Sequence, residues 1–236
     1  DTQTNWNGIL GRMELQIREK VYPKNLQVYA KTPEEVRITV DIQGMQEGSA
    51  RVEVYRKAGE LLCEKDCLFK DGKLESTLAL MGEDLLWDEY HTNLLEVKVT
   101  VAEECVTTNF GIRDLSHEGR KLLVNGQQVF WRGKHDGLVF PYTGYAPMCV
   151  EEWKKVLSTA KEYGINHYRF HTCCPPDAAF SAADELGIYM EPELPFWGTI
   201  AAPGEEQYNG PEQEYLIEEG YRILRDFGNH HSFVML

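Results

Sequence analysis

The sequence lacks an apolar run long enough to cross a bilayer, which takes about 20 residues. Its apolar stretches, such as Val234-Met235-Leu236 and Leu94-Leu95, are strand-sized at most, so membrane insertion by a helix is not expected. It also lacks a basic cluster. Lys plus Arg number 24 against 38 Asp plus Glu, a net charge of −14, and the acidity is spread over both halves of the chain. Nucleic-acid binding requires clustered cations against phosphates, so no nucleic-acid partner is expected. A neutral substrate such as a sugar suits this balance. A Cys-x-x-Cys pair set is missing too: Cys63, Cys67, Cys105, Cys149, Cys173 and Cys174 do not have the spacing of a structural zinc site. No metal and no cofactor are expected. Finally, the polar start Asp1-Thr2-Gln3-Thr4-Asn5 has neither an initiator Met nor the apolar core of a signal peptide, so the chain reads as a piece of a longer or processed protein.

Against these absences, the composition is that of a folded protein. Hydrophobic residues make up 42% and charged residues 26% of 236, which excludes a largely disordered chain and gives room for one large or two ordinary domains.

The chain changes character near residue 114. Before it, Arg37–Ile42, Arg51–Tyr55 and Leu95–Val101 alternate polar and apolar residues, the period of a half-buried strand. Turn signals separate them at Gly44, Glu47-Gly48, Lys57-Ala58-Gly59, Asp71-Gly72 and Gly82. Several short strands with regular turns over about 100 residues predict an antiparallel, immunoglobulin-like β-sandwich. After residue 114, strands alternate with helices. Gln128–Arg132 reads as a strand ending at Gly133. Val150, Trp153, Val156, Leu157 and Ala160 recur at helical spacing before Gly164. Ile165–Phe170 is a strand, Pro176–Leu186 a helix stopped by Gly187, and Ile188–Glu191 a third strand. A loop of about 20 residues follows, long enough to suggest function. Leu216, Ile217, Tyr221 and Leu224 mark a third helix, and Ser232–Leu236 a fourth strand. Four alternations predict a parallel sheet with helices outside.

Several segments carry a family resemblance. Leu123–Asp136, with Asn125-Gly126, Phe130-Trp131 and Arg132-Gly133 before His135, resembles the first barrel strand of glycoside hydrolase family 2, which includes β-galactosidases, β-glucuronidases and β-mannosidases. Gly164–His171 followed by Pro175-Pro176 resembles the family strand that ends in arginine and leads into a histidine- and proline-containing loop. Ala183–Glu191 and Arg225–Leu236 are similar to later segments, with His231 where the family usually has proline. Upstream, Asn7–Leu15 resembles the last strand of the family's sugar-binding jelly roll. Leu86-Trp87, Leu94–Val97 and Phe110–Arg113 resemble its middle sandwich.

The resemblance implies a multidomain chain. Residues 1–16 would be a remnant of the jelly roll, 17–113 the immunoglobulin-like β-sandwich, and 114–236 the first four strands of an incomplete (β/α)8 TIM barrel. It implies a parent enzyme that hydrolyses β-linked O-glycosides with retention. Such an enzyme needs two carboxyls about 5–5.5 Å apart, and the family's two glutamates fall beyond Leu236. No catalytic residue is therefore expected within the chain, and the fragment alone should be inactive. An exported bacterial parent, periplasmic or secreted, fits the family and the acidic surface.

What the chain can supply is sugar binding, because barrel sites lie at the C-terminal ends of the strands. The candidates are His135 and Asp136 after the first strand, Arg169 and His171 after the second, Glu191 at the end of the third, and Trp197 in the loop that also carries Glu193. Charged side chains would grip hydroxyls, and an indole would stack on the apolar face of the ring. Each has a plainer reading. Arg169 and Glu191 would be a structural pair, since buried charges are usually paired. His135 and His171 would be ordinary loop histidines. Asp136 would cap a turn. Trp197 would pack its loop. Trp131 and Trp153 read as core. Cys173 beside His171 has no third ligand at metal spacing. Two alternatives to the enzyme remain: a non-catalytic carbohydrate-binding protein on the same fold, and a sandwich that serves protein–protein interaction. Four barrel strands would also leave sheet edges, at Val129 and Ser232, through which the fragment would self-associate.

Overall fold

The computed structural model describes residues 11, 13–82 and 84–236. The segment resembling a jelly-roll strand therefore lies largely outside the described residues, and Met13–Glu19 carries no strand. The chain divides into two compact units: residues 13–130 with 229–231, and residues 131–228 with 232–236.

The first unit is made of antiparallel sheets. β1 (Tyr22–Thr32), β2 (Glu35–Gln43) and β5 (Lys73–Leu78) form one in the order β1-β2-β5. β3 (Gly48–Arg56), β4 (Leu61–Phe69), β6 (Leu95–Val101) and β7 (Glu104–Phe110) form another in the order β4-β3-β6-β7. The period-2 pattern explains the arrangement. In β2, Val36, Ile38, Val40 and Ile42 are buried while Arg37 and Asp41 face outward. Val52 and Val54 of β3 and Val97 and Val99 of β6 are likewise buried. These rows from both sheets form one core, with Phe69, Leu74, Leu80 and Phe110 among its members. At roughly 25 cal/mol per Å² of apolar surface, each fully buried Val or Ile adds about 1.5–3 kcal/mol. No helix occurs among the described residues before α1.

A third antiparallel sheet follows: β8 (Leu115–Glu118), β9 (Lys121–Val124) and β10 (Gln127–Val129), a meander in the order β10-β9-β8. This corrects the sequence reading of Gln128–Arg132 as the first barrel strand. Gln127, Gln128 and Val129 pair antiparallel with Val124, Leu123 and Leu122. Asn125 and Gly126, both at positive φ (52° and 74°), make the tight turn that an Asn-Gly dipeptide favours. The Asn125 side chain fixes the meander, accepting from Asp114 N–H at 2.9 Å and donating to Trp87 O at 3.0 Å. Residues 229–231 pack with this unit. Asn229 Oδ1 accepts from Val28 N–H at 2.9 Å and Nδ2 donates to Leu26 O at 2.7 Å, so one side-chain amide satisfies two backbone groups of β1. His231 is buried edge-on against Trp87, ring centroids 4.8 Å apart.

The second unit alternates strand and helix. β11 (Gly133–Asp136), β12 (His167–Phe170) and β13 (Tyr189–Glu191) form a parallel sheet in the order β11-β12-β13. The parallel strand thus begins at Gly133, where the sequence reading placed the strand's end. Between the strands run α1 (Val150–Glu162) and α2 (Asp177–Leu186), and α3 (Gly210–Phe227) follows β13. α2 turns Ala178, Ala179, Ala182 and Ala183 inward. These small side chains let it pack closely, and Gly187 in the left-handed region (φ 68°) ends it as glycine commonly does. α1 buries Trp153 and Leu157. α3 buries Leu216, Gly220 and Ile223, while Ile217, Tyr221 and Leu224 are exposed; its inner face is rotated by about one residue from the one read from sequence. The expected fourth strand is reduced to one parallel bridge, Met190 with Phe233, held by Met190 N–H to Ser232 O at 2.7 Å and Val234 N–H to Met190 O at 3.0 Å. No helix among the described residues is long and apolar enough to cross a membrane.

Candidate functional site

At the C-terminal ends of the parallel strands an open depression of about 480 Å³ is lined by His135, Arg169, His171, Thr172, Glu193, Phe196, Trp197 and Gly198. Parallel pairing builds it, because residues in register stand side by side on neighbouring strands. His135 of β11 is the register partner of Arg169 of β12, and Arg169 is the partner of Glu191 of β13. The chain then turns at Thr172, which has φ 54°. A β-branched residue in the left-handed region is uncommon and costs about 1–3 kcal/mol. Here it is compensated: Thr172 N–H donates to Glu193 Oε2 at 2.8 Å, and its hydroxyl donates to His171 O at 2.8 Å.

Four of the six predicted residues line the depression: His135, Arg169, His171 and Trp197. The rings form a series. His135 and His171 centroids are 5.0 Å apart, and His171 meets Trp197 edge-on at 4.6 Å. Asp136 is not in the lining. It is buried, its Oδ1 accepts from Leu138 N–H at 2.7 Å and its Oδ2 pairs with Lys134, the turn-capping role. Glu191 is not in the lining either. Its Oε2 lies 3.0 Å from His167 Nε2, without the alignment of a hydrogen bond.

The expected Arg169–Glu191 pair is replaced by another: Arg169 pairs with Glu193. Sequence reasoning placed Glu193 only in passing, because the strand-end rule favours the last strand residue and Glu193 lies two beyond it. Yet Glu193 is the residue that collects contacts. It takes Arg169, the Thr172 N–H, and His171 Nδ1 at 3.3 Å, and its own N–H donates to Cys173 O at 3.1 Å. The two carboxyls are pushed apart. Burial raises Glu191 above its ordinary pKa, the Glu193 charge adds to this, and the Arg169 charge opposes it. Burial also acts to raise Glu193, but the Thr172 N–H, the Arg169 charge and the bonds from His171 and Arg169 outweigh it, and its pKa is lowered. Thr172, Phe196 and Gly198 were not singled out from sequence; nothing in their local pattern marks a strand-end contact.

Behind the site, His167 stacks on Trp131, centroids 4.8 Å apart and planes 6° from parallel. Burial lowers the His167 pKa to about 4, so it is neutral at pH 7. Trp153 is in the core as read; Trp131 is half-buried against this ring. Burial pushes the Cys173 thiol up to about 12, with the charges of Asp136 and Glu193 adding, which removes its thiolate at neutral pH. Among the described residues no group of three or more His, Cys, Asp and Glu side chains is placed to hold a metal.

No family model matches the chain. A β-galactosidase of Thermoanaerobacterium thermosulfurigenes is 24% identical over 98% of the chain and 33% of its own length. A β-galactosidase large subunit of Lactobacillus acidophilus is 25% identical over 81% of the chain and 33% of its own length. The fold is shared with solved glycosidases. A β-D-glucuronidase of Dictyoglomus thermophilum aligns at TM-score 0.68 and 21% identity over 92% of this chain and 38% of its own. A glycosyl hydrolase family 2 member of Bacteroides cellulosilyticus aligns at 0.67 and 18% over 92% and 30%. The resemblance to family 2 runs through nearly the whole chain. The chain spans about a third or less of the curated relatives.

Proposed function

We propose that this chain is the immunoglobulin-like sandwich and the first part of the (β/α)8 barrel of a family 2 glycosidase that cleaves β-linked O-glycosides with retention. The barrel would start at β11, with the meander β8–β10 belonging to what precedes it. The observation that carries the reading is the depression at the strand ends, where a guanidinium, two imidazoles and an indole surround a volume suited to a sugar ring. The chain's relatives named as β-galactosidases and its structural neighbours named as glucuronidases support it. In this reading Arg169, His135 and His171 bind hydroxyls, Trp197 covers an apolar ring face, and Asp136 and Glu191 hold the strand ends from behind. Arg169 and Glu193 largely neutralise one another, so the lining asks for hydroxyls more than for a charged group. The two carboxyls of the retaining reaction would come from residues beyond this chain, and residues 1–236 alone would not hydrolyse a glycoside.

The test is hydrolysis of aryl β-D-galactosides, β-D-glucuronides and β-D-mannosides by the protein that carries this chain, with the product anomer followed by NMR. Release of one β-anomer first is the expected result. Release of the α-anomer would overturn retention. Binding of these sugars without hydrolysis would point to a carbohydrate-binding protein, and neither binding nor hydrolysis would overturn the reading.

A further inference from the structure

Two side chains that line the depression and one backbone N–H converge on a single carboxylate. Arg169, His171 Nδ1 and Thr172 N–H all belong to the end of β12 and the turn after it, and all three point at Glu193. The turn is otherwise in an unfavourable conformation, with Thr172 at φ 54°. An ionised carboxylate has only acceptors, so at neutral pH the ring nitrogen facing it must be the protonated one. We infer that Glu193 is the positioning residue of the depression: it holds Arg169 and the Thr172 turn in place and fixes His171 with Nδ1 protonated, leaving Nε2 as an acceptor for a hydroxyl of the bound sugar. The sugar half of this inference rests on the function proposed above; the tautomer half does not.

Replacement by glutamine shows why the charge and symmetry of the group matter. An amide keeps one acceptor oxygen and turns the other into a donor. With its NH2 toward Arg169, two donors face each other. With its NH2 toward Thr172 and His171, it opposes the backbone N–H and forces His171 Nδ1 to become an acceptor. Neither orientation reproduces the three contacts.

The experiment is long-range 15N–1H NMR of the imidazoles in the protein that carries this chain, with His171 assigned by substitution. Alongside it, the Kd of methyl β-D-galactopyranoside and methyl β-D-glucuronide is measured for the wild type and E193Q. The expected wild-type spectrum has Nδ1 protonated and Nε2 unprotonated. In folded E193Q either the Arg169 contact or this preference is lost, and sugar affinity falls tenfold or more. A wild-type His171 with Nε2 protonated overturns the inference, and needs no variant to be seen. An unchanged tautomer and unchanged Kd in folded E193Q overturns it too. The expected tautomers with no sugar bound by the wild type would support the positioning role and overturn the sugar reading.

Discussion

At the scale of single residues, two buried positions set stability in different ways, one by space and one by charge. Gly111 is buried in the first unit beside the His231 ring, and a Cβ there would come within 2.6 Å of ring carbon Cγ. His231 cannot yield easily, since Trp87 packs against its ring and its carbonyl accepts from Arg113 Nε. Gly111→Ala should therefore cost about 1–3 kcal/mol, the range for overpacked sites, read as a lower urea midpoint with unchanged slope. No loss of stability would mean that the ring moves freely. The second position is His167. Its folded pKa of about 4 lies below the ordinary 6.5 because it is buried. A native state that refuses a proton is stable above the unfolded pKa and loses that advantage as pH falls from about 6.5 to about 4. The loss is at most about 3 kcal/mol, and the Glu191 carboxylate 3.0 Å from Nε2 reduces it by favouring the protonated ring. Glu191 acts with the opposite sign, since a raised carboxyl pKa favours the fold as pH falls. Denaturation curves between pH 7 and 4 should show acid weakening in the wild type and a shallower slope in His167→Gln. Parallel slopes would remove His167 as the cause.

At the scale of elements, α3 shows both what a sequence pattern gives and where it stops. Its existence was legible from Leu216, Ile217, Tyr221 and Leu224, but two adjacent stripes of the helix are apolar. Periodicity alone cannot choose between them, because the choice depends on what packs against the helix. The structure buries Leu216, Gly220 and Ile223. Ile223→Ala should cost about 2–5 kcal/mol, while Leu224→Ala should stay within about 0.5 kcal/mol; thermal midpoints of the two variants decide, and equal losses would refute the face. The strand at Gln128 was misread for a related reason. A short apolar run at a glycine looks the same whether it ends an antiparallel meander or begins a parallel sheet, and only the pairing partner differs. Where packing is local to the pattern, as in β2, α1 and α2, sequence and structure coincide. Of the residues the strand-end rule pointed to, His135, Arg169, His171 and Trp197 line one depression. Glu193 escaped it because its importance lies in three contacts made across the loop after β12.

At the scale of the whole molecule, the parallel sheet sets the last prediction. Among the described residues it contains β11, β12 and β13, and β13 continues only through the single bridge from Met190 to Phe233. The outer backbone groups of β11 have no strand beside them in this sheet. The edges differ from the sequence expectation, which put one at Val129; that residue sits in the antiparallel meander, so the edge strand of the parallel sheet is β11, exposed over Gly133–His135. Unpaired parallel edges are templates for another chain. Exposed Ile217, Tyr221 and Leu224 of α3, together with Met235 and Leu236, add apolar surface to the same unit. The net charge of −14 opposes association, but its range is about 10 Å at 0.1 M salt, so raising the salt screens the repulsion and leaves the edges. Residues 1–236 studied alone should therefore self-associate in sedimentation velocity, more at 0.5 M than at 0.05 M NaCl. Lys substituted at exposed Ile217 and Leu224 should shift the distribution toward monomer. A single monomeric species at both salts, across a hundredfold range of concentration, would show that these edges are not adhesive.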